Sequence, residues 1–210
     1  MKKRNVLIVV DVQNDFCPGG ALAVTEGDLV VPIINRIMGS FHRVVATQDW
    51  HPREHVSFAS NHPGKKPFEQ IRIGDLSQTL WPDHCVPGTK GADFHEGLHA
   101  DRFDLVVRKG SNPAVDSYSA FLENDKKTRT GLDGYLKSIK AERLFLAGLA
   151  TDYCVFFSAM DAVSFGFKTV VIIDACRGID VPDNNIEISL QTMKKKGINI
   201  ITSGDLQQYL

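Results

Sequence analysis

The chain of 210 residues is 43% hydrophobic by residue type and carries 24 basic against 25 acidic side chains, a formal net charge of −1. This length and composition predict one large domain, residues 1–210, with a sizeable buried core. The near-zero charge gives no electrostatic argument for a nucleic-acid or membrane partner. The N-terminal apolar stretch is too short for a signal peptide, and no segment reaches the roughly 20 apolar residues of a membrane helix. We therefore expect a soluble, cytoplasmic protein.

Six short apolar runs bounded by turn residues predict strands that are buried on both faces. They are NVLIVVDV from Asn5, RVVATQDW from Arg43, FDLVVRKG from Phe103, RLFLAGLA from Arg143, KTVVIIDA from Lys168 and INIITSGD from Ile198. Helical patterns lie between them, at 27–38, 132–140, 152–165 and 185–196. This alternation predicts an α/β fold, a three-layer αβα sandwich with a central six-stranded parallel sheet.

One long stretch, from His51 to Ala100, interrupts the alternation and is rich in proline, glycine and histidine. We predict that it is irregular in structure. Loops of that length in a compact domain are usually functional or mobile.

Four cysteines are widely separated along the chain and form no CxxC pair: Cys17, Cys85, Cys154 and Cys176. A chain of this size and apolar content does not need disulfides, so no disulfide framework is expected. Cys176, at the end of the fifth predicted strand, is interpreted as a buried residue without a role.

Reactive side chains follow four of the predicted strands. They are Asp11 after the first strand, Asp49 and His51 after the second, Lys109 after the third and Cys154 just beyond the fourth. Ligands of open α/β sheets bind outside the carboxyl ends of the strands. We therefore expect a carboxylate, an Asp-x-His pair, an amine and a thiol to meet at one edge of the sheet.

Cys154 has two interpretations when it is taken alone, because a free cysteine is most often a small buried hydrophobe. Its position favours a nucleophile. Thr151 or Asp152 is predicted to cap a helix that has Cys154 in its first turn. A helix N-terminus favours the thiolate, and its free N–H groups can hold an oxyanion.

Asp11 and Lys109 are candidates to activate that thiol. Asp11 closes a buried strand, so its partly desolvated carboxylate could act as a general base. Asp15, by contrast, is interpreted as a solvent-exposed residue where the chain leaves the strand. An isolated lysine is usually a surface residue. Opposite a carboxylate at the same sheet edge, Lys109 would balance the charge of the site and favour the thiolate.

Asp49 and His51 lie two residues apart, so on an extended backbone their side chains point to the same side and can share one metal ion. The alternative is a turn with a capping aspartate and a solvated histidine. His84, between prolines in WPDHCVP, offers a third ligand. Two imidazoles and one carboxylate leave coordination positions open for water or substrate. Cys85 is interpreted as packing and is the main rival ligand.

Three aromatic residues accompany these groups: Phe16, Trp81 and Tyr118. Singly, each is more often a core residue than part of a binding site. Next to a metal, together, they could hold a flat ring between them.

Five segments of the chain resemble, in this order, segments of the nicotinamidase/pyrazinamidase family of the isochorismatase-like cysteine hydrolases. They are DVQNDFCPGGALAV, TQDWHP, WPDHCVPGT, RKG with NPAVDSYSAF, and GLATDYCV. The resemblance covers nearly the whole chain. It implies an isochorismatase-like hydrolase fold with a metal-binding loop region at about 49–100. The DWH and WPDHC segments are its most specific part, because they resemble the metal site of nicotinamidases.

Residue roles follow from the resemblance, motif by motif. Asp11 resembles the general base, Lys109 the charge-balancing residue and Cys154 the nucleophile of the family. The resemblance implies one divalent metal ion, held by Asp49, His51 and His84. Zn2+ is the first choice of ion, and Fe2+ and Mn2+ are the alternatives.

The resemblance also implies a cis peptide between Leu149 and Ala150, with the amides of Ala150 and Cys154 forming an oxyanion hole. The residues matching the family's ring pocket are Phe16, Leu22, Trp81 and Tyr118. Some members place a further His or Glu after the DWH turn, where this chain has Ser57. Ser57 would then reach the metal through a water, with His55 as the less favoured substitute.

The implied activity is hydrolysis of nicotinamide to nicotinate and ammonia, and of pyrazinamide to pyrazinoate, through a thioester in NAD salvage. Two alternatives stay open: a metal-free cysteine hydrolase of the same fold acting on a carbamoyl or ureido amide, and a non-catalytic binding module. The expected partner is the small-molecule substrate, and a homo-oligomer is left open.

Overall fold

The computed structural model describes residues 4–210, and its centre is a six-stranded parallel sheet. The strands are β1 (Asn5–Val10), β2 (Arg43–Asp49), β3 (Gln70–Ile73), β4 (Leu76–Thr79), β5 (Leu105–Lys109), β6 (Arg143–Leu149), β7 (Lys168–Arg177) and β8 (Asn199–Ile201). The helices are α1 (Val30–Ile37), α2 (Leu132–Ser138), α3 (Phe156–Ser164) and α4 (Asn185–Lys195). All six predicted strands are present and form the predicted parallel sheet, in the order β5-β2-β1-β6-β7-β8.

Helices cover both faces of this sheet, because the side chains of a buried strand alternate between two apolar layers. On β1, Leu7 and Val9 pack in the same cluster as α1, whereas Ile8 and Val10 pack in the cluster that includes α2, α3 and α4. The three-layer αβα arrangement predicted from the sequence is therefore confirmed.

The strand register brings the carboxyl ends of the central strands level with one another. Val10 of β1 pairs with Gly148 of β6, and Asp49 of β2 pairs with Lys109 of β5. Gly148 has a φ of +126°, and a Cβ there would collide with the backbone of Val10, so only glycine fits this close approach.

The prediction of an irregular stretch from His51 to Ala100 is wrong in one part, where β3 and β4 form an antiparallel hairpin. The hairpin turns at Gly74, which has a φ of +58°. The alternation of polar and half-buried apolar residues in Gln70–Ile73 is the sequence signal of this strand. Among the described residues, no helix is both long and apolar enough to cross a membrane.

Candidate active site

Lys109 is the centre of a buried charged group at the carboxyl edge of the sheet. Its Nζ lies 2.8 Å from Asp11 Oδ2 and 2.5 Å from Asp49 Oδ1, and it donates to Ser117 O at 2.9 Å. The same Nζ lies 3.4 Å from Cys154 Sγ. Burial opposes the charge of the amine, but the two carboxylates raise the pKa of Lys109 well above its usual range. The amine therefore stays cationic between the carboxylates and the thiol.

The Asp11 carboxylate is held from the neighbouring strand. Thr47, on β2, donates its hydroxyl to Asp11 Oδ1 at 2.6 Å and accepts the Asp11 N–H at 3.2 Å. Asp11 has a φ of +47°, a left-handed conformation that turns the chain out of β1. Burial raises the pKa of Asp11, against the attraction of Lys109. A carboxylate with a raised pKa is better suited to accept a proton than an ordinary surface aspartate.

Cys154 sits in one wide turn of π-helix, Thr151–Val155, that joins β6 to α3. The amides of Tyr153 and Val155 both donate to Ala150 O at 3.1 Å. The thiol therefore lies in the first turn after the strand, as expected, but the predicted side-chain cap from Thr151 or Asp152 is wrong.

Asp152 has other partners, which explains why it does not cap the turn. Its carboxylate accepts the backbone N–H groups of Ile179 and Asp180, each at 2.9 Å, and the Asn185 amide at 3.0 Å. These bonds fasten the loop after β7 to the turn that carries the nucleophile candidate.

Lys109 acts on the Cys154 thiol in the predicted direction, but the expectation that the thiolate is the favoured form is wrong. Burial raises the pKa of the Cys154 thiol well above its usual range, and Asp11 and Asp49 add to this effect. Lys109 lowers the pKa, but it is outweighed. The resting group is therefore a thiol, and attack by sulfur requires a base that removes its proton.

Asp49, His51 and His84 form a second group, beside the first. The Asp49 Oδ2 atom lies 3.4 Å from His51 Nε2 and 3.8 Å from His84 Nε2. Ligand atoms of all three lie within 4.8 Å of one another. Burial opposes ionisation of Asp49, but Lys109 and His51 together hold its pKa well below the usual range. The structure thus brings the three predicted ligands together around an ionised carboxylate.

The orientation of both imidazoles suits a metal ion. His51 Nδ1 lies 2.9 Å from Gly110 O, and His84 Nδ1 lies 2.7 Å from Pro82 O. Each Nδ1 can donate to its carbonyl, which leaves the Nε2 lone pairs facing Asp49. Two such nitrogens and one carboxylate oxygen are a donor set that fits a divalent metal ion with open positions.

Gly110 makes room for this arrangement. It follows β5 with a φ of +69°, and a Cβ at this position would collide with the His51 ring. The glycine therefore allows the backbone to approach the ring closely enough for its carbonyl to accept from Nδ1.

The other residues considered for the metal lie around this group. Ser57 Oγ is 2.7 Å from His55 Nδ1, and the His55 ring packs on the His51 ring with centroids 4.2 Å apart. His55 and His51 also form a second cluster of metal-ligand type, with Asp116. Cys85 is buried in the core and gives its backbone N–H to Asp15 at 2.7 Å, which agrees with the packing interpretation.

Asp15 is not at an exit into solvent, and that expectation is wrong. Its carboxylate accepts the N–H of Ala21 at 3.1 Å as well as that of Cys85. It therefore ties the loop after β1 to the loop that carries His84. The reason is tertiary: both loops run over the same edge of the sheet and need acceptors for their N–H groups.

A cavity of about 330 Å³, counting the space open to solvent, joins the two groups. Its lining includes Ala150 and Cys154, the three metal-ligand candidates and all four predicted ring-pocket residues, Phe16, Leu22, Trp81 and Tyr118. Asp11 and Lys109 lie beneath it, fully or almost fully buried. The peptide between Leu149 and Ala150 is cis, as the resemblance implies.

Three further lining residues were missed by sequence reasoning: Asp116, Tyr153 and Ile179. Asp116 accepts from Gln78 of β4 at 2.7 Å and lies 4.0 Å from His51 Nε2. Asp116 and Tyr153 lie inside the motifs NPAVDSYSAF and TDYC, so their proximity to candidate residues was an available signal. Ile179 has no comparable signal, because only the fold of the loop after β7 brings it here.

The fold and this site define an α/β protein of the isochorismatase class. The family model described as "Isochorismatase domain" matches residues 5–205. A solved structure described as a nicotinamidase/pyrazinamidase from Acinetobacter baumanii superposes with a TM-score of 0.95 at 51% identity, covering 98% of this chain and 99% of the other.

More particularly, the chain belongs to the nicotinamidase/pyrazinamidase family of the isochorismatase-like hydrolases. The nicotinamidase of Acinetobacter baylyi is 47% identical over 208 residues, which cover 98% of this chain and 97% of that protein. A pyrazinamidase of Pyrococcus horikoshii, solved in complex with zinc, superposes with a TM-score of 0.77 at 35% identity, covering 95% of this chain and 99% of the other.

Proposed function

We propose that this protein is a nicotinamidase, a cysteine amidohydrolase that converts nicotinamide to nicotinate and ammonia and also accepts pyrazinamide. The observation that carries the proposal is one cavity lined by a thiol, flat aromatic rings and a two-histidine, one-carboxylate group. The names of the relatives supply the substrate. The whole chain acts as one domain, with 49–100 as its metal-binding loop region, and the reaction serves NAD salvage in the cytoplasm.

The reaction begins with the proton of Cys154. Asp11 takes this proton, and Lys109, 3.4 Å from the sulfur, stabilises the thiolate as it forms. The sulfur attacks the carboxamide carbon, and the carbonyl oxygen becomes an oxyanion. The backbone amides of Ala150 and Cys154 donate to that oxygen.

Protonated Asp11 then gives its proton to the leaving nitrogen, the C–N bond breaks and ammonia departs, leaving a thioester on Cys154. Asp11, again a carboxylate, takes a proton from water as the water attacks the thioester carbon. The C–S bond breaks, nicotinate forms, and the thiol regains its proton. Phe16, Leu22, Trp81 and Tyr118 hold the flat ring while these steps occur.

Asp49, His51 and His84 would hold the divalent ion, and Zn2+ is the ion that we propose, by analogy with the zinc-bound relative. When bound, the ion supplies a Lewis acid that fixes the ring nitrogen of the substrate. The residues of the chain contribute the geometry, because the carbonyls of Gly110 and Pro82 orient the two imidazoles. Ser57, whose Oγ lies 2.7 Å from His55 Nδ1, would contact the ion through a water, with His55 as the less favoured substitute.

An ammonia-release assay over nicotinamide, pyrazinamide and a ureido compound tests the proposal. We expect turnover of the first two, and a loss of at least about a thousandfold in kcat for Cys154→Ala. Cys176→Ala is the matched control, since Cys176 is also buried and its thiol donates to the backbone carbonyl of Ile172. Turnover of the ureido compound alone, or wild-type turnover by Cys154→Ala, would contradict the proposal.

A further inference from the structure

Three aromatic rings form a wall of the cavity beside Cys154. The Trp81 ring meets the Tyr153 ring edge-on with centroids 4.9 Å apart, and the Tyr118 and Tyr153 centroids are 5.4 Å apart. Trp81 Nε1 donates to the Tyr118 hydroxyl at 3.1 Å. The three side chains therefore support one another and close this side of the cavity.

A second cavity lies on the far side of this wall. It has about 770 Å³ of empty space, counting the space open to solvent, and runs between the β3–β4 hairpin and the start of α4. Tyr118 and Tyr153 line both cavities. We call this second cavity the hairpin groove; its lining includes Ser77, Thr79, Phe156, Phe157, Pro182 and Ile188.

The hairpin groove is suited to a flat aromatic group. Two phenylalanines, a proline and an isoleucine offer apolar surface, and the hydroxyls of Ser77 and Thr79 stand on the hairpin side. The groove therefore offers apolar surface for a ring beside polar side chains, which also include Gln70, Asp152, Asn185 and Ser189. Asp152, the acidic residue of the lining, already accepts three hydrogen bonds, so a ligand of the groove would have to reach Cys154 to be transformed.

Tyr153 is the residue of this wall that can be substituted without disturbing the ring pocket. Tyr118 accepts from Trp81 and packs on Phe157 with ring centroids 5.3 Å apart, so its loss would also disturb the ring pocket. The Tyr153 hydroxyl instead donates to Val181 O at 2.6 Å, on the loop after β7. Because Tyr153 precedes Cys154 directly, the backbone fixes its ring relative to the sulfur.

We propose that Tyr153 sets the upper size of the ring amide that this site accepts, by separating the cavity at Cys154 from the hairpin groove. With a short side chain at position 153, the groove takes the additional ring of a bicyclic amide while the carboxamide stays at the thiol. This inference rests on the proposed function. It goes further, because it assigns the size limit to one residue and the extra space to one groove.

Benzo-fused nicotinamides test the inference. Quinoline-3-carboxamide and isoquinoline-4-carboxamide carry the additional ring on different edges of the pyridine, so the pair samples two directions from the carboxamide. The measured quantity is the ratio of kcat/KM for a bicyclic amide to kcat/KM for nicotinamide. For Tyr153→Ala we expect this ratio to be about tenfold or more above that of the wild type for at least one of the two bicyclic amides. Tyr153→Phe keeps the ring and loses only the bond to Val181, so this ratio should stay at the wild-type value.

A blocking variant identifies the groove as the acceptor of the additional ring. Ser77 is exposed on β4, so Ser77→Trp places a large side chain in the hairpin groove and should leave the wild-type ratio and nicotinamide turnover unchanged. In the Tyr153→Ala/Ser77→Trp double variant the gain should disappear. A gain that persists in the double variant, or no gain for either bicyclic amide, overturns the inference.

Two checks keep the outcomes distinct. If Tyr153→Ala does not fold, as judged by circular dichroism, Tyr153→Val opens the same wall with less loss of packing and carries the same expectation. If the wild-type protein releases no ammonia from nicotinamide, the proposed function itself fails. If the wild type is active and the ratio does not change, the size limit at Tyr153 alone is refuted.

Discussion

Asp49 and Lys109 are paired in register at the ends of β2 and β5, and their side chains meet in a buried ion pair of 2.5 Å. Asp49 uses one carboxylate oxygen for Lys109 and turns the other toward His51 and His84. One residue thus belongs to both groups of the site. The group around the thiol and the metal-ligand group cannot be changed independently at this position.

Asp49→Asn should therefore weaken both groups at once. The variant loses the ionised ligand oxygen and leaves Lys109 with Asp11 as its one carboxylate partner. We expect loss of bound metal together with a fall of about 1–3 kcal/mol in the free energy of unfolding. Elemental analysis and denaturant unfolding measure the two effects. Glu69→Gln, which removes an exposed ion pair with Lys65 and keeps an amide oxygen for the Lys66 N–H, is the control and should change neither. Full metal content in Asp49→Asn would contradict the assignment.

Gly110→Ala should lower metal affinity because its Cβ would collide with the His51 ring. Gly64→Ala provides a matched control: Gly64 has a φ of +80°, in the same left-handed region, with no atom near the added Cβ. Both variants should lose about 1 kcal/mol of stability from the backbone conformation alone. Competition with a chromogenic chelator measures zinc affinity, and we expect a decrease of about tenfold or more for Gly110→Ala only. Equal affinities for the two variants would count against His51 as a ligand.

Thr47→Val tests whether the orientation of Asp11 matters for the reaction. The change keeps the shape of the side chain and removes the hydroxyl that donates to Asp11 Oδ1. A misplaced base affects the chemical steps more than binding, so kcat should fall by about tenfold to a hundredfold with KM little changed. Thr47→Ser restores the hydroxyl and should restore most of kcat. If Thr47→Ser is as slow as Thr47→Val, the hydroxyl is not the reason for the loss.

Asp152→Ala should loosen the loop after β7 without touching the thiol. It removes the acceptor of two backbone N–H groups and of the Asn185 amide. Because Ile179 of this loop lines the cavity, we expect KM to rise more than kcat falls, and stability to fall by about 1–3 kcal/mol. Asp180→Ala, which removes one exposed acceptor for Ile186 N–H, is the milder control. A fall in kcat alone would point to the turn at Cys154 instead.

Much of the site could be predicted because it depends on local patterns. Buried apolar runs show where strands end, and a parallel sheet gathers those ends at one edge, so Asp11, Asp49, Lys109 and Cys154 could be grouped from the sequence. What strand periodicity cannot show is register between distant strands. The ion pair between Asp49 and Lys109 depends on that register and was not foreseen.

The remaining differences arise from contacts between loops. Asp152 was expected to cap its own turn. The loop after β7 offers it two backbone donors and the first residue of α4 a third, and its carboxylate binds these instead. The raised pKa of Cys154 also has a tertiary cause, since it depends on burial and on Asp11 and Asp49 from other strands. Sequence reasoning named these residues but could not weigh their mutual charges.

Within residues 4–210, β5 is an edge strand of the sheet and pairs with β2 only. Edge strands fray more readily than central strands, yet β5 carries Lys109, whose amine is part of the site. The ion pairs of Lys109 with Asp11 and Asp49 therefore clamp the border of the sheet to its interior. Slow hydrogen exchange of the β5 amides would therefore indicate that the site is intact. Local opening of β5 would remove Lys109 from the site and abolish activity while the rest of the protein is still folded.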